Sequence, residues 1–400
     1  MDIICFANDW AGDRLSKKQV MLRLARHHRI LWINAINNRR PQLAKKDFGR
    51  ILVKLRDFTR GLRQVEENIW VLAPIYLPFH GHPALRALNR RLLRLQIRWA
   101  QRRLRFQSPV TYTFVPTSAQ VVGQLGESAV VYHCVDEYAA FSDAAPEVAG
   151  LERVLLRRAD LVLVCSGPLF EDKRPFNPNT YLVTHGVDYD HFRRATDPAT
   201  PVAEELRGLT GPILGFHGWV ADWVDIRLIG ELARLRPEWQ IVLVGRADGD
   251  LSPVRGLANV HVLGMRPYER LPEYLRGFDI ALLPFVINKL TLSSNPLKLR
   301  EYLAAGLPVV AAPLPEVVRM GGLVELASTA GEYAERIESY LSRGVRGPDS
   351  ARAARMAAES WDAKTGVIER LMQQVLAPRL AGHLPAPPRA TATKGASEIG

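Results

Sequence analysis

The sequence has few of the features that mark secreted, metal-binding or membrane-spanning proteins. Its only cysteines are Cys5, Cys134 and Cys165, which lie in apolar runs without the paired spacing of a disulfide framework or zinc site. No stretch approaches the roughly 20 continuous apolar residues needed to cross a bilayer. The N-terminus has the pattern of a strand and a loop rather than a leader peptide. We therefore expect a cytoplasmic protein with reduced thiols, no metal and no cofactor.

Acidic residues are scarce in one region, residues 38–105, which holds 17 Lys and Arg against 4 Asp and Glu. This excess of +13 accounts for the whole net charge of +12, so the rest of the chain is nearly neutral. Within the region, "ALRALNRRLLRLQIRWAQRRLR" predicts an amphipathic helix with arginines at four-residue spacing and an apolar stripe on another face. The members are Arg86, Arg90, Arg94, Arg98 and Arg102, and Leu85, Leu88, Leu92, Leu95 and Trp99.

Two interpretations of this basic helix stay open. It is either a solvated helix that packs its leucines on the domain, or a surface attracted to anionic lipid headgroups. Nucleic acid is not an expected partner, because the segment has few aromatic side chains to stack bases and no known reader motif.

Strand and helix patterns alternate along most of the chain, which is typical of parallel α/β sheets. At 400 residues and 47% hydrophobic content, two such domains are expected. Predicted strands of the first are Ile3–Phe6, Arg29–Asn34, Ile69–Ala73, Val110–Phe114, Ala129–Cys134, Leu161–Ser166 and Tyr181–Thr184. Those of the second are Ile213–His217, Gln240–Gly245, Val260–Gly264, Ile280–Pro284 and Pro308–Ala311.

Composition places the boundaries of these domains. A proline-rich, apolar-poor segment separates an N-terminal domain, 1–195, from a C-terminal domain, 211–360, and makes 196–210 a linker. Residues 377–400 are rich in Pro, Ala, Thr and Ser and are expected to be disordered. In doubly wound folds, ligands bind at the carboxyl ends of the strands, so functional residues are expected directly after strands.

The stretch "SSNPLKLREYLAAGLPVVAAP" combines a helix start, a glycine stop and a strand. Asn295 is a good N-cap and Pro296 is favoured at the first helical position, so the free amides of that turn predict an anion site. Glu301 lies about 7 Å further along the axis, within reach of a sugar next to a bound phosphate. An ordinary capped helix with a solvated glutamate is the alternative.

The loop after the first strand has no G-x-G-x-x-G, which disfavours a dinucleotide-dependent dehydrogenase. Ser16 begins a capping box, so a helix starts there with its amides toward the loop, and Gly12 lets that loop approach a ligand. A simple strand-to-helix connection is the alternative.

Several stretches, in the right order over about 350 residues, resemble the GT-B glycosyltransferases, in particular the retaining group related to sucrose synthase and to bacterial capsule or teichuronic acid transferases. They are "ADLVLVCS", "THGVDYDHF", "ILGFHGWVADW", "WQIVLVGR", "NVHVLGMRPYERLPEYLRGFDIALLPF", "LKLREYLAAGLPVVAAP" and "AAESWDAKTG". The resemblance implies two facing Rossmann-like domains, with a helix at 361–376 that crosses back to the first. It also implies a nucleoside-diphosphate sugar on the C-terminal domain and an acceptor on the N-terminal domain.

Individual site residues follow from this resemblance. Glu301 matches the second glutamate of the family's E-x7-E motif, which accepts hydrogen bonds from the ribose hydroxyls. The donor is expected to contact His217 and Gly218 after one strand and Gly264, Met265 and Arg266 around the base. Gly12 and Arg14 are expected to face the donor phosphates and the acceptor.

The sequence departs from the family pattern at three positions. Ser293 replaces the first glutamate, so contacts to the transferred sugar are expected from Ser294 and Asn295. Trp219 stands where an arginine is usual, and Val224 or a neighbour replaces the usual lysine. Lys298 is therefore the first candidate to neutralise the diphosphate, with Arg246, Lys289 and the helix N-terminus as others.

"YHCVDEYAAF" follows another strand and raises the question of catalytic groups. His133 and Asp136 are the candidates on the acceptor side, because family members often bind the transferred sugar with a histidine at a comparable place. The alternative is a core histidine and an aspartate that caps the next helix. Retaining transfer by front-face attack needs no enzymatic nucleophile, since the departing phosphate acts as base, and the enzyme then stabilises the leaving group and positions two substrates.

We therefore expect a retaining glycosyltransferase that moves a sugar from UDP or GDP to a lipid-linked or polysaccharide acceptor in cell-surface polysaccharide synthesis. The basic segment 38–105 is expected to hold it at the anionic inner face of the cell membrane. A nucleotide-sugar epimerase of the same fold and a catalytically silent scaffold remain as alternatives.

Overall fold

Two separate sheets organise the chain in the computed structural model, which describes residues 1–12, 16–34, 61–75, 83–142 and 144–380. The first sheet has the strand order β3-β4-β2-β1-β5-β6-β7-β8, and only the β3–β4 pair is antiparallel. Its strands are β1 (Asp2–Ala7), β2 (Arg29–Asn34), β3 (Arg63–Glu66), β4 (Ile69–Leu72), β5 (Val110–Thr113), β6 (Ala129–Cys134), β7 (Leu161–Val164) and β8 (Thr180–Leu182).

The second sheet is entirely parallel, in the order β11-β10-β9-β12-β13-β14. Its strands are β9 (Ile213–His217), β10 (Gln240–Val244), β11 (Val260–Gly264), β12 (Ile280–Leu283), β13 (Val309–Ala311) and β14 (Glu325–Leu326). Both sheets are covered by helices, which explains why their central strands read as continuous apolar runs rather than as alternating ones. The predicted α/β class and paired parallel sheets are confirmed.

Helices connect the strands and cover both sheets. Those of the first half are α1 (Ser16–Leu24), α2 (Pro83–Leu104), α3 (Val148–Arg158), α4 (Gly167–Lys173) and α5 (Tyr189–Phe192). The second half contributes α6 (Ile226–Leu235), α7 (Leu271–Gly277), α8 (Lys289–Leu292), α9 (Leu297–Ala304), α10 (Pro315–Val318), α11 (Ala330–Ser342), α12 (Ser350–Ala354) and α13 (Trp361–Leu380).

The last helix returns to the first sheet. Trp361, Ile368 and Met372 of α13 are buried in the same core as the strands of that sheet. Asp362 forms an ion pair with Arg23 of α1 at 2.9 Å. The helix continues to Leu380, four residues beyond its predicted end at 376, so the segment from 377 to 380 is helical rather than disordered.

The segment that joins the two sheets is packed rather than extended. Val187, Phe192 and Ala195 are buried in a core of the second sheet, together with Ala203 and Leu206. Residues that the sequence assigned to the end of the first domain and to a linker therefore pack on the second. In the described residues, no helix is long and apolar enough to cross a membrane.

Some predicted features fall outside the described residues. They are Arg14, most of the basic segment before α2 (38–60 and 76–82) and the end of the tail (381–400). The three cysteines lie within the described part, and all are buried and free.

Candidate functional site

A glycine ledge forms the carboxyl edge of the second sheet. Gly218 follows β9, Gly245 follows β10, and Gly264 ends β11, and all three have positive φ, at 141°, 141° and 74°. The N–H of Gly218 donates to Val244 O at 2.8 Å, and that of Gly245 donates to Gly264 O at 2.8 Å. A Cβ on Gly245 would overlap the carbonyl oxygen of Gly218. Glycine at position 245 is therefore required for the backbones after β9 and β10 to pack this closely.

The predicted key glutamate lies beside this ledge. Glu301, on α9, accepts a hydrogen bond from Lys298 Nζ at 2.9 Å, and His217 Nε2 lies 3.2 Å from the same carboxylate oxygen. A Cβ on Gly218 would stand 3.0 Å from Lys298 Cε, so the lysine passes directly over the glycine. The structure thus brings together four predicted donor-side residues: His217, Gly218, Lys298 and Glu301.

His217 is held neutral within this group. Its side chain is buried, its backbone N–H donates to the Tyr302 hydroxyl at 2.8 Å, and burial lowers its pKa well below the usual value, with a further lowering from the charge of Lys298. A neutral imidazole does not neutralise a carboxylate, so Lys298 is the cation that balances Glu301.

The prediction that Asn295 caps the following helix is wrong. The N-cap residue is Pro296, which makes no side-chain capping bond, and α9 begins at Leu297. The Asn295 side chain is buried and donates to Cys165 O at 2.7 Å and to Glu316 Oε2 at 3.1 Å. Its oxygen accepts from Arg300 Nη1 at 2.5 Å. The side-chain amide of Asn295 therefore already has protein partners at both its nitrogen and its oxygen.

Neighbouring serines are also engaged within the protein. Ser294 Oγ donates to Thr291 O at 2.7 Å, and Ser293 O accepts from Ser166 Oγ at 2.6 Å. The second of these bonds joins the loop after β7 to the loop before α9. The adjacent Gly167 N–H donates to Glu316 Oε1 at 2.7 Å, so the carboxyl edges of the two sheets are fastened together here.

Three other predicted donor-side residues lie around β10 and β11. Arg246 is half exposed, stacks 5.1 Å from the Trp219 ring centroid and pairs with Asp248 at 2.5 Å. Arg266 donates to Tyr274 Oη at 2.7 Å and pairs with Glu205 at 3.1 Å, which ties it to the segment between the sheets. Met265 is 62% exposed.

The first sheet contributes a group of buried titratable side chains after β1 and β6. Lys17 Nζ donates to Asn8 Oδ1 at 3.0 Å, and burial lowers its pKa. His133 Nδ1 lies 2.8 Å from the Tyr112 hydroxyl, whereas its buried Nε2 has no hydrogen-bond partner within the described part of the chain.

Burial sets the protonation of both predicted acceptor-side residues. It lowers the pKa of His133 to about 3, assisted by the charge of Lys17. It raises the pKa of Asp136 to about 6, although the same lysine opposes the shift. Asp136 does not cap the next helical turn, whose N-cap is Glu137, so that part of the structural alternative is not supported. Of the two loop residues predicted beside them, Gly12 closes a turn onto Asp9 O at 3.0 Å, and Arg14 is not described.

The two groups adjoin across the junction of the sheets. Leu297, at the start of α9, packs against the core of the first sheet. The charges of Arg300 and Lys17, together with His133, act on buried His185, whose pKa is lowered well below the usual value mainly by burial. We call His217, Gly218, Gly245, Lys298 and Glu301 the C-terminal wall, and Lys17, Tyr112, His133, Asp136 and His185 the N-terminal wall.

Sequence reasoning did not single out several of these residues. Lys17, one residue after the predicted helix start at Ser16, carried no signal of its own, and neither did Arg300 or Glu316. Glu316 bonds to Gly167, 149 residues away in the sequence, which no local pattern reveals. His185 lay within the quoted stretch "THGVDYDHF" and Gly245 at the end of a predicted strand, and neither was assigned a role. Among the described residues, no three His, Cys, Asp or Glu side chains are grouped so as to hold a metal ion.

The architecture of two facing parallel sheets, joined at their carboxyl edges and closed by a returning helix, is the GT-B fold. A sucrose-phosphate synthase from Thermosynechococcus elongatus superposes with a TM-score of 0.69 over 94% of this chain and 99% of its own, at 16% identity. The Anabaena protein HepE, in complex with UDP and glucose, superposes with a TM-score of 0.64 over 94% and 100%, at 15% identity. These likenesses define the fold.

Within this fold, residues 211–343 match the family model Glycosyl transferases group 1. The chain is also 30% identical over 208 residues to the Bacillus subtilis (strain 168) protein TuaH, whose name assigns it provisionally as a glycosyltransferase of teichuronic acid biosynthesis. That match covers 48% of this chain and about half, 52%, of the relative. The predicted resemblance is thus confirmed: the chain has GT-B architecture, and its residues 211–343 match the group 1 glycosyl transferases.

Proposed function

We propose that this protein is a retaining glycosyltransferase that uses a UDP or GDP sugar as donor and a lipid-linked or polysaccharide acceptor in cell-surface polysaccharide synthesis. The observation that carries the proposal is the placement of Glu301 and Lys298 beside the glycine ledge, inside the segment that matches the group 1 family. Similar folds have been solved with UDP, UDP-glucose and UDP-2-fluoro glucose, which supports a nucleotide sugar as donor.

The C-terminal wall has the chemistry that a nucleotide sugar requires. A diphosphate set against the ledge meets the backbone and the Lys298 ammonium, which then exchanges part of its contact with Glu301 for a phosphate oxygen. The carboxylate released in this exchange accepts hydrogen bonds from ribose hydroxyls. Without ligand, Lys298 and Glu301 therefore pair with each other, and with ligand each contacts a different part of the nucleotide.

The N-terminal wall suits a neutral sugar or acceptor hydroxyl. His133 is uncharged at neutral pH, and its Nε2 is a buried polar atom with no partner among the described residues. Burial raises the pKa of Asp136 to about 6, so this carboxyl keeps its proton to a higher pH than a free aspartate does. In front-face retaining transfer the leaving phosphate takes the acceptor proton, so this wall positions hydroxyl groups rather than supplying a nucleophile. The proposal includes association with the inner face of the cell membrane through segment 38–105.

Glu301 provides the decisive test. Charge-assisted hydrogen bonds contribute about 1.5 to 3 kcal/mol, so Glu301→Gln should weaken UDP or GDP binding about tenfold in isothermal titration, and Glu301→Ala should weaken it more. Glu335→Gln, an exposed glutamate on α11, is the matched control and should bind as wild type does.

A deoxyribose nucleotide sharpens this test. Wild-type protein should bind it less tightly than the ribose form, whereas Glu301→Ala should hardly distinguish the two. Equal discrimination by both proteins would show that the carboxylate does not touch the ribose.

Turnover separates the proposal from its two alternatives. A glycosyltransferase releases free nucleotide when acceptor is present. An epimerase converts the donor sugar and releases none, and a silent scaffold binds the nucleotide without changing it.

A further inference from the structure

The solvent face of α2 carries an apolar stripe that the domain does not cover. Leu88, Leu95 and Trp99 are 42%, 53% and 52% exposed, and their spacing of seven and four residues places them on one side of the helix. The opposite side supplies the buried residues, among them Leu93, Ile97 and Ala100. The helix therefore has two apolar faces, and only one of them packs on the sheet.

A neighbouring side chain extends this stripe. The Gln96 side chain bonds to both the N–H and the C=O of Ile75 at 2.9 Å, which holds Ile75 against the helix, and Ile75 is 40% exposed. Of the twelve large hydrophobic side chains exposed in the described ranges, four lie in this one patch. Such clustering marks an interaction surface, whereas single exposed apolar residues do not.

Arginines border the stripe on both sides. Helical spacing places Arg91, Arg98 and Arg102 along one edge and Arg103 along the other, and α2 contains no acidic residue. Arg98 is fixed by a bond to Gln124 O at 3.0 Å. Arg91, Arg102 and Arg103 are exposed, and their side chains form no ion pair or hydrogen bond with the described residues.

A surface cavity of about 240 Å³ opens where the stripe ends. It lies between α2 and the β3–β4 edge and is lined by Leu62, Gln64, Trp70, Trp99, Arg103 and Leu104. Leucine and tryptophan side chains line it together with the polar groups of Gln64 and Arg103, so the cavity continues the mixed apolar and basic character of this face.

We propose that this face of α2 is a membrane-binding surface, on which Leu95 and Trp99 insert among the headgroups of an anionic phospholipid bilayer while the bordering arginines contact lipid phosphates. The alternation of apolar centre and basic borders, with no acidic residue in between, is typical of helices that lie in the plane of the interface. Tryptophan is favoured at this depth because its ring is amphipathic. A nucleic acid would bind the arginines through its phosphates, but it would not account for the exposed leucines. This inference specifies the membrane partner included in the proposed function.

Co-sedimentation of the full-length protein with vesicles tests the surface. Vesicles containing phosphatidylglycerol should bind the protein and phosphatidylcholine vesicles should not, and salt should release it. Arg91→Gln combined with Arg102→Gln should weaken binding about fivefold per arginine at low salt. Leu95→Gln combined with Trp99→Gln should weaken it about tenfold or more. Leu235→Gln, which removes a similarly exposed leucine from α6, is the matched control and should bind like wild type.

Three outcomes would overturn the proposal: equal binding to neutral vesicles, full binding by either double variant, or a wild-type dimer that Leu95→Gln with Trp99→Gln dissociates while vesicle binding is unchanged. Thermal melting and UDP titration of each variant verify its fold. Vesicle binding needs no nucleotide, and nucleotide binding needs no vesicle. Failure of the membrane surface is therefore distinguishable from failure of the proposed activity.

Discussion

The two walls at the junction of the sheets differ in the ionisation of their side chains. On the C-terminal wall, Lys298 and Glu301 are partly exposed and neutralise each other. On the N-terminal wall, His133 is buried and Asp136 is half-buried, and the loss of contact with water shifts the pKa of each in the direction that favours its neutral form. The first arrangement is ready to exchange an internal ion pair for a charged ligand, whereas the second favours uncharged hydroxyl groups.

The largest expected effect concerns the ledge that supports the C-terminal wall. Gly245→Ala places a methyl group onto the Gly218 carbonyl oxygen at a φ of 141°, so we expect a loss of more than about 3 kcal/mol in the free energy of unfolding. Gly264→Ala is the control: its φ is also positive, at 74°, but nothing lies within 4 Å of the added Cβ. It should cost only about 1–2 kcal/mol. Urea unfolding measures both, and equal losses would mean that the close contact between the strand ends is unimportant.

A smaller effect is expected from the cation of the same wall. Lys298→Ala should weaken UDP binding by about 1 to 3 kcal/mol, because a phosphate would lose a charge-assisted bond. Arg246→Ala should weaken it by no more than about 1 kcal/mol, since that guanidinium is half exposed and already paired with Asp248. Isothermal titration measures both affinities. A larger loss of affinity in Arg246→Ala than in Lys298→Ala would indicate that Arg246, rather than Lys298, binds the phosphate.

The smallest effect tests the N-terminal wall through pH. Between the ordinary pKa of 3.8 and about 6, folded protein keeps a proton on Asp136 that the unfolded chain has lost, so this group makes stability fall as pH rises. Between about 3 and 6.5 the unfolded chain holds a proton that folded His133 lacks, so this group makes stability rise with pH. The two contributions therefore oppose each other over an overlapping pH range.

Single variants separate these contributions. The free energy of unfolding of Asp136→Asn, relative to that of wild type, should increase as pH rises toward about 6. That of His133→Gln, relative to wild type, should increase as pH falls below about 6.5. Urea unfolding at several pH values measures both differences. If the difference in the free energy of unfolding between each variant and wild type did not change with pH, the fold would not shift the pKa of either group.

The sequence was sufficient to predict most strands because each is an apolar run bounded by turn residues. Ile213–His217, Arg29–Asn34 and Ala129–Cys134 have their predicted bounds. Two strands were missed. Arg63–Glu66 is a polar edge strand, and Glu325–Leu326 is only two residues long, so neither carries a buried run.

Tertiary partners explain the errors at the site and on the basic helix. The Asn-Pro pair predicted a cap at Asn295, but a carbonyl 130 residues away in the sequence takes its side chain. On α2 the periodicity predicted a stripe through Leu85, Leu88, Leu92, Leu95 and Trp99, and one interpretation packed that stripe on the domain. Leu85 and Leu92 are half-buried, whereas the other three are exposed. The structure instead buries Leu93 and Ile97. Periodicity alone cannot decide which of two apolar faces meets the sheet.

The bond from the Gly167 amide to Glu316 makes that amide a probe of the contact between the two halves of the molecule. Gly167 opens α4, so its N–H has no carbonyl acceptor within that helix and relies on a carboxylate of the other sheet. Whenever the two halves separate, this one amide becomes available to solvent deuterium although its own helix stays folded. The protection of this amide from exchange therefore depends on the contact between the two halves, which the other amides of the same helix do not report.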